Sequence, residues 1–282
     1  MNLAGIFTPY GFAFFRNGLT VAVLAGAMCG LVGTFVVLRN MSSIGHGLSH
    51  AIFGGAAASA VMNVNYYLGA GVWGLASGLA ITSVSRRARV GSDAAIGIVT
   101  TASFALGLAF SAWFGQAKKS IDAVLFGSIL GVDTGDVVAV LLIGLAVIAT
   151  IAFLYRPLLF ATFDAEVAPS FGVNVVRVDA AMMLMLSMTI LISMKVIGVL
   201  LISALIVTPT VTARLLSSSF SRIMWFGPAI GALTCFVGMN LSYHLDIPPG
   251  AAIILTGATL FFVVFTGAGV KARQRLRGVH AH

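Results

Sequence analysis

Residues 137–155 read VVAVLLIGLAVIATIAFLY, a run without a single charged side chain. A helix rises about 1.5 Å per residue, so this run alone approaches the roughly 30 Å hydrocarbon core of a bilayer. Runs of the same kind recur at 17–38, 42–62, 66–85, 94–114, 178–193, 196–213, 223–241 and 250–268. The whole chain of 282 residues is 59% hydrophobic and only 9% charged, with a mean hydropathy of +1.06. Soluble domains carry about 25% charged residues, and so few charges cannot cover a water-facing surface. The expected fold is therefore all-α, a polytopic transmembrane helical bundle of about eight to nine spans. No polar linker interrupts the pattern, so residues 1–282 are read as one domain. The stretch 120–133 is short and marked by Gly and Asp, and is read as a re-entrant or surface element.

Charge sets the orientation. The net charge of +8 comes from short basic clusters between apolar runs: Arg86, Arg87 and Arg89, Arg156, Arg214 and Arg222, and a tail at 269–282 with Lys271, Arg273, Arg275 and Arg277. Loops with such clusters stay cytoplasmic, and this spacing does not make a nucleic-acid groove. Alternation then places the C-terminus and Arg39 inside and the N-terminus outside, with Lys118, Lys119 and Arg16 as exceptions. The N-terminus lacks a charged region followed by a small-residue cleavage site, so the first run is expected to remain as a span. Cys29 and Cys235 stand alone in apolar runs and are read as packing residues. Glycines recur inside the spans, at Gly26, Gly30 and Gly33, at Gly54 and Gly55, and at Gly74 and Gly78, as close packing of helices in lipid requires. No internal repeat supports a secondary transporter built from inverted halves.

The stretch Arg39-Asn40-Met41-Ser42-Ser43-Ile44-Gly45-His46-Gly47-Leu48-Ser49-His50-Ala51 carries the chemistry. His46 and His50 are one helical turn apart, so their imidazoles share a face. Counted from Arg39, His50 is roughly 15 Å into the bilayer, where an ionisable side chain is costly and faces a cavity or pathway. Imidazole binds zinc, iron, copper and nickel, but a metal site generally takes four ligands, and this span holds no carboxylate. The missing ligands must come from another span or from a second copy across a two-fold axis. The competing reading is a packing pair hydrogen-bonded to neighbouring helices. The spacing also matches HExxH metalloproteases, but His46-Gly47-Leu48-Ser49-His50 lacks their glutamate base. A bis-histidine haem site would need an axial partner on a facing helix, and nothing in the sequence singles one out.

Two other stretches invite a reading. Leu159 to Val173 mixes polar and apolar residues on the cytoplasmic side. Asp164 can cap a short helix there, Glu166 favours its first turn and Gly172 can end it. Such a helix docks a partner or lies on the membrane. Lys195 is expected at the turn between two spans, snorkelling to the interface, and Pro209 is expected to kink or end its helix.

Taken in order, these motifs resemble the permeases of the zinc/manganese/iron class of ABC importers. The resemblance rests on Gly33-Thr34-Phe35-Val36-Val37-Leu38-Arg39, on Gly45 to Ala51, on Asp93 to Ile98 and on Leu125 to Leu130. It continues through Phe163 to Val173, Val196 to Arg214, and Leu241 to Gly250. It implies a permease subunit of the bacterial cytoplasmic (inner) membrane, working as a homodimer or pseudo-dimer with a cytoplasmic ABC ATPase and an extracytoplasmic metal-binding protein. Such a chain is not itself an enzyme and holds no tight cofactor; it passes on zinc, manganese or iron. The resemblance also makes 159–175 the segment that couples to the ATPase, through Phe163, Asp164, Glu166, Ala168 and Gly172. It makes His46 and His50 the metal-contacting residues. The family commonly has aspartate where His46 stands. Two imidazoles per chain favour zinc or another borderline ion over a harder one such as manganese, and protons compete with the metal for them. The alternative is an ATP-independent metal channel or secondary carrier.

Overall fold

Glycines three and four residues apart let the first apolar helix be wedged among its neighbours. A Cβ added at Gly30 would stand 2.2 Å from the carbonyl oxygen of Gly227, and one at Gly231 would stand 2.1 Å from that of Gly26. Backbones this close gain dispersion contacts that lipid cannot match, which is what drives helix association in a bilayer. A computed structural model describes residues 8–62, 66–87, 92–113 and 127–279. Ten α-helices follow in order: α1 (Ala13–Leu38), α2 (Ser42–Val61), α3 (Tyr66–Arg87), α4 (Ser92–Trp113), α5 (Thr134–Phe153), α6 (Tyr155–Phe163), α7 (Val175–Ile197), α8 (Val199–Leu216), α9 (Phe220–Leu245) and α10 (Pro249–Val279). Short 3-10 turns occupy Thr8–Gly11 and Ala168–Phe171, and the described residues include no strand. The exceptions Lys118 and Lys119, with Arg89, lie outside the described residues.

The bundle is built around two helices. In α1 and α7 the most apolar stretch is 72% buried, against 17% in α10. Around that centre α9 and α8 pack on α1, α3 packs on α7, α5 covers both, and α2 is held between α3, α4 and α8. Outward faces remain apolar, with Leu142 and Leu145 of α5 and Phe262 and Val263 of α10 each more than 60% exposed. In water such a surface would aggregate; in lipid it is the solvent-matched face.

Among the described residues seven helices are long and apolar enough to cross a membrane, where about eight to nine spans were expected. The two that fall short are instructive. In α2, His46, His50 and four serines dilute an otherwise apolar helix of 20 residues. In α8 the apolar part is short, at Leu201–Leu216. It starts immediately after Gly198, whose φ of 85° and ψ of 148° suit only a residue without a Cβ. The break between the two runs therefore falls at Gly198, not at Lys195, which stays inside the last turn of α7. Nor does Pro209 end its helix, because α8 runs through it to Leu216. Asn40, at φ 55°, turns the chain between α1 and α2. The climb to His50 thus starts at Ser42 and measures about 12 Å, less than the count from Arg39. Of the stretch 120–133, only 127–133 lies in the described residues. It lies against the end of α7, with the Ser128 N–H donating to the Lys195 carbonyl at 3.0 Å.

Candidate metal centre and coupling surface

Helix α2 turns one face inward through Ile44, Leu48 and Ile52, all fully buried, and thereby presents His46 and His50 on another. Gly47 lets α4 approach, since a Cβ there would meet Ile96 and Thr100 at 2.9 Å. The imidazoles of His46 and His50 stand edge to face, with centroids 4.6 Å apart and an interplanar angle of 83°. Their Nε2 atoms are 3.2 Å apart. The ring of Phe104 on α4 closes one side, 5.5 Å from His50. On the other side Ser203 of α8 brings its Oγ to 3.5 Å from His46 Nδ1. Ser203 thus stands against Nδ1 of His46 while the two Nε2 atoms face each other. His46 is exposed and His50 half-buried, so the corner opens outward from the chain. Among the described residues no group of three or more His, Cys, Asp or Glu side chains converges as a metal cage would. One chain therefore offers a pair of imidazoles and an open side.

The coupling stretch lies at the end of the bundle where α1 finishes and α7 and α9 begin. Phe163 closes α6 and sets its ring 5.6 Å from Phe220, whose ring in turn is 5.9 Å from Phe35. The short helix expected here is reduced to one turn. Asp164 caps it as expected, its Oδ1 accepting the Val167 N–H three residues on at 3.0 Å, and Glu166 sits exposed in that turn. Ala168 then starts a single 3-10 turn and is fully buried, fixing the segment to the bundle. Pro169 near the start of that turn and Gly172 at its end, with φ 75°, explain why no α-helix propagates. Phe160, Phe163 and Phe171 are left exposed, Phe160 stacking on Phe171 at 5.3 Å. This is an aromatic surface on a rigid turn, with Asp164 and Glu166 beside it.

Two ion pairs escaped the sequence reading. Lys195 does not snorkel to water: its Nζ donates to Asp136 Oδ2 at 2.5 Å. Asp136 Oδ1 also accepts the Tyr67 hydroxyl at 2.5 Å, and its Oδ2 accepts the Asp133 N–H at 2.8 Å. With Asp136 N–H bonded to Asp133 Oδ1, these groups close a capping box and tie α3, α5 and α7 together. At the opposite end Arg39 pairs with Asp179 at 2.5 Å, joining α1 to α7.

Seven long apolar helices with apolar outward faces, among the described residues, make this a polytopic membrane protein, with a histidine pair on one helix and an aromatic turn at one end. The chain belongs to the ABC 3 transport family, whose model matches residues 11–268. It is 36% identical to the manganese import system permease protein ScaB of Streptococcus parasanguinis over 273 residues, 96% of each chain. It is 33% identical to the manganese transport system membrane protein MntC of Listeria monocytogenes over 254 residues, 90% of each. The solved structure of PsaBC from Streptococcus pneumoniae in complex with Fab superposes with a TM-score of 0.83 at 32% identity. That match covers 93% of this chain and 95% of the other. The protein is thus a membrane-embedded permease subunit of an ABC transport system.

Proposed function

We propose that this permease imports divalent metal ions across a bacterial cytoplasmic membrane, with His46 and His50 contacting the ion midway. The observation that carries the reading is the pair of Nε2 atoms 3.2 Å apart on a helix inside the bundle. Two such pairs facing each other across a two-fold axis supply the four ligands one ion needs. Zinc, manganese and iron are the candidate ions. The named relatives carry manganese in their names, while an all-imidazole set suits zinc and other borderline ions better. The C-terminus is cytoplasmic, and α2 and α8 complete a set of nine crossings with the seven long apolar helices.

In this reading Phe163, Asp164, Glu166, Ala168 and Gly172 form the surface on which a cytoplasmic ATPase seats, and a binding protein delivers metal at the far end. ATP-driven closure of the ATPases pulls the paired turns and opens the histidine corner to alternate sides. The chain catalyses no reaction of its own. The test is metal uptake into vesicles holding permease, ATPase and binding protein. His46→Ala/His50→Ala should lower uptake about tenfold or more while assembly persists. Full uptake by that variant removes the histidines from the pathway. Uptake that proceeds without ATP makes the chain a channel or secondary carrier instead.

A further inference from the structure

Helix α2 reaches the outside of the chain along a narrow polar line. Of residues 42–50, Ser42, Ser43 and His46 are exposed, His50 is half-buried, and the other five are buried. No apolar side chain surfaces there, in contrast to the outward Leu142 and Leu145 of α5 and Phe262 and Val263 of α10. A lipid-facing helix shows apolar groups to the bilayer, so this line faces something other than lipid. Helix α4 lies beside it and runs the same way. Ser43 meets Asp93, Gly47 faces Ile96 and Thr100, and His50 faces Phe104.

Asp93 stands at the start of that seam. Ser43 donates its hydroxyl to Asp93 Oδ1 at 2.9 Å, and Oδ2 takes no hydrogen bond from a described residue. Neither ion pair among the described residues, Arg39 with Asp179 or Lys195 with Asp136, engages it. Ser43, His46 and His50 follow one another at helical spacing on one face, so the carboxylate lies about one turn from the histidine corner. It lies toward the end where α1 finishes, which is the end that carries the aromatic turn. One turn along α4 from Asp93, Gly97 is exposed, and a Cβ there would meet nothing within 4 Å. Space is thereby left beside the carboxylate for an ion that keeps part of its water.

We propose that Asp93, oriented by Ser43, is the oxygen ligand to which the ion passes when it leaves the histidine corner toward the end with the aromatic turn. The inference rests on the proposed passage of metal past His46 and His50. Conduction through successive sites requires each to bind weakly enough to let the ion go. A carboxylate one turn away supplies a full negative charge, yet as a harder donor it holds a borderline ion less tightly than paired imidazoles do. The competing role for Asp93 is structural, since a carboxylate in the first turn of α4 also suits the helix dipole.

Asp93→Asn separates the two roles, because it keeps the size of the side chain and an oxygen for Ser43 but removes the charge. In vesicles holding permease, ATPase and binding protein, Asp93→Asn should lower manganese uptake about tenfold or more, and Asp93→Glu should restore most of it. Metal retained by the purified permease in equilibrium dialysis should stay at the wild-type level in Asp93→Asn, because the histidines still hold the ion. Its melting temperature should also stay close to that of the wild type. Full uptake by Asp93→Asn overturns the proposal. So does a loss of uptake accompanied by equal losses of retained metal and of thermal stability, which marks a structural role. Full uptake by His46→Ala/His50→Ala sinks the histidine reading itself. Full uptake by Asp93→Asn beside an inactive histidine variant sinks this inference alone, so the two failures are distinguishable.

Discussion

If the proposed import function holds, His46 is the residue on which ion choice turns. It places an imidazole 3.2 Å from that of His50, and the family resemblance implies a carboxylate at this position in other permeases. Replacing nitrogen by a harder oxygen donor shifts preference toward a harder ion. His46→Asp should therefore raise the ratio of manganese to zinc uptake, measured in mixed-metal competition, by roughly tenfold or more. Lys195 offers a second prediction at this scale. Asp136 is 8% exposed and receives Lys195, Tyr67 and a backbone N–H. Removing the cation leaves a nearly buried carboxylate short of its charge partner, so Lys195→Met should destabilise the protein by about 1–3 kcal/mol in thermal unfolding. The double variant Lys195→Met/Asp136→Asn should lose less than the sum of the two single changes, since it leaves no orphaned charge.

At the scale of the element, stability lies in helix contacts that only glycine permits. A Cβ at Gly30 would meet the Gly227 carbonyl at 2.2 Å, whereas at Gly97 it would meet nothing within 4 Å. Gly30→Leu should cost about 1–3 kcal/mol or more and sharply reduce folded yield. Gly97→Ala, on an exposed face of α4, should leave the melting temperature unchanged or slightly raise it through better helix propensity. Size-exclusion profiles in detergent and thermal unfolding check both. The long spans were legible from sequence because a lipid-facing helix announces itself by apolar length alone. The coupling turn was less so. Asp164 caps the turn and Gly172 ends it as their residue types suggest, yet the stretch between them holds only a turn and a 3-10 turn rather than an α-helix. Local signals placed the turn and its glycine end correctly but not its helix type.

Across the whole molecule, what sequence left hidden is whatever depends on partners distant in the chain. The two histidines on one face of α2 were readable from their spacing, because four residues make one turn. That Phe104 and Ser203 flank them was not, since both lie on other helices and neither residue type is diagnostic. The same holds for Lys195 with Asp136, 59 residues apart, and for the meeting of Arg39 with Asp179, 140 apart. The division of labour is nonetheless clear in space: one end of the bundle carries the aromatic turn, the other the Asp136 network, and the histidine pair lies between. The central claim is that His46 and His50 of two copies hold one ion. Metal content of the purified permease after equilibrium dialysis against manganese or zinc tests it most directly. One ion per two chains is expected, and none in His50→Ala at the same free metal concentration. One ion per chain, or a ratio unchanged in His50→Ala, would contradict the account.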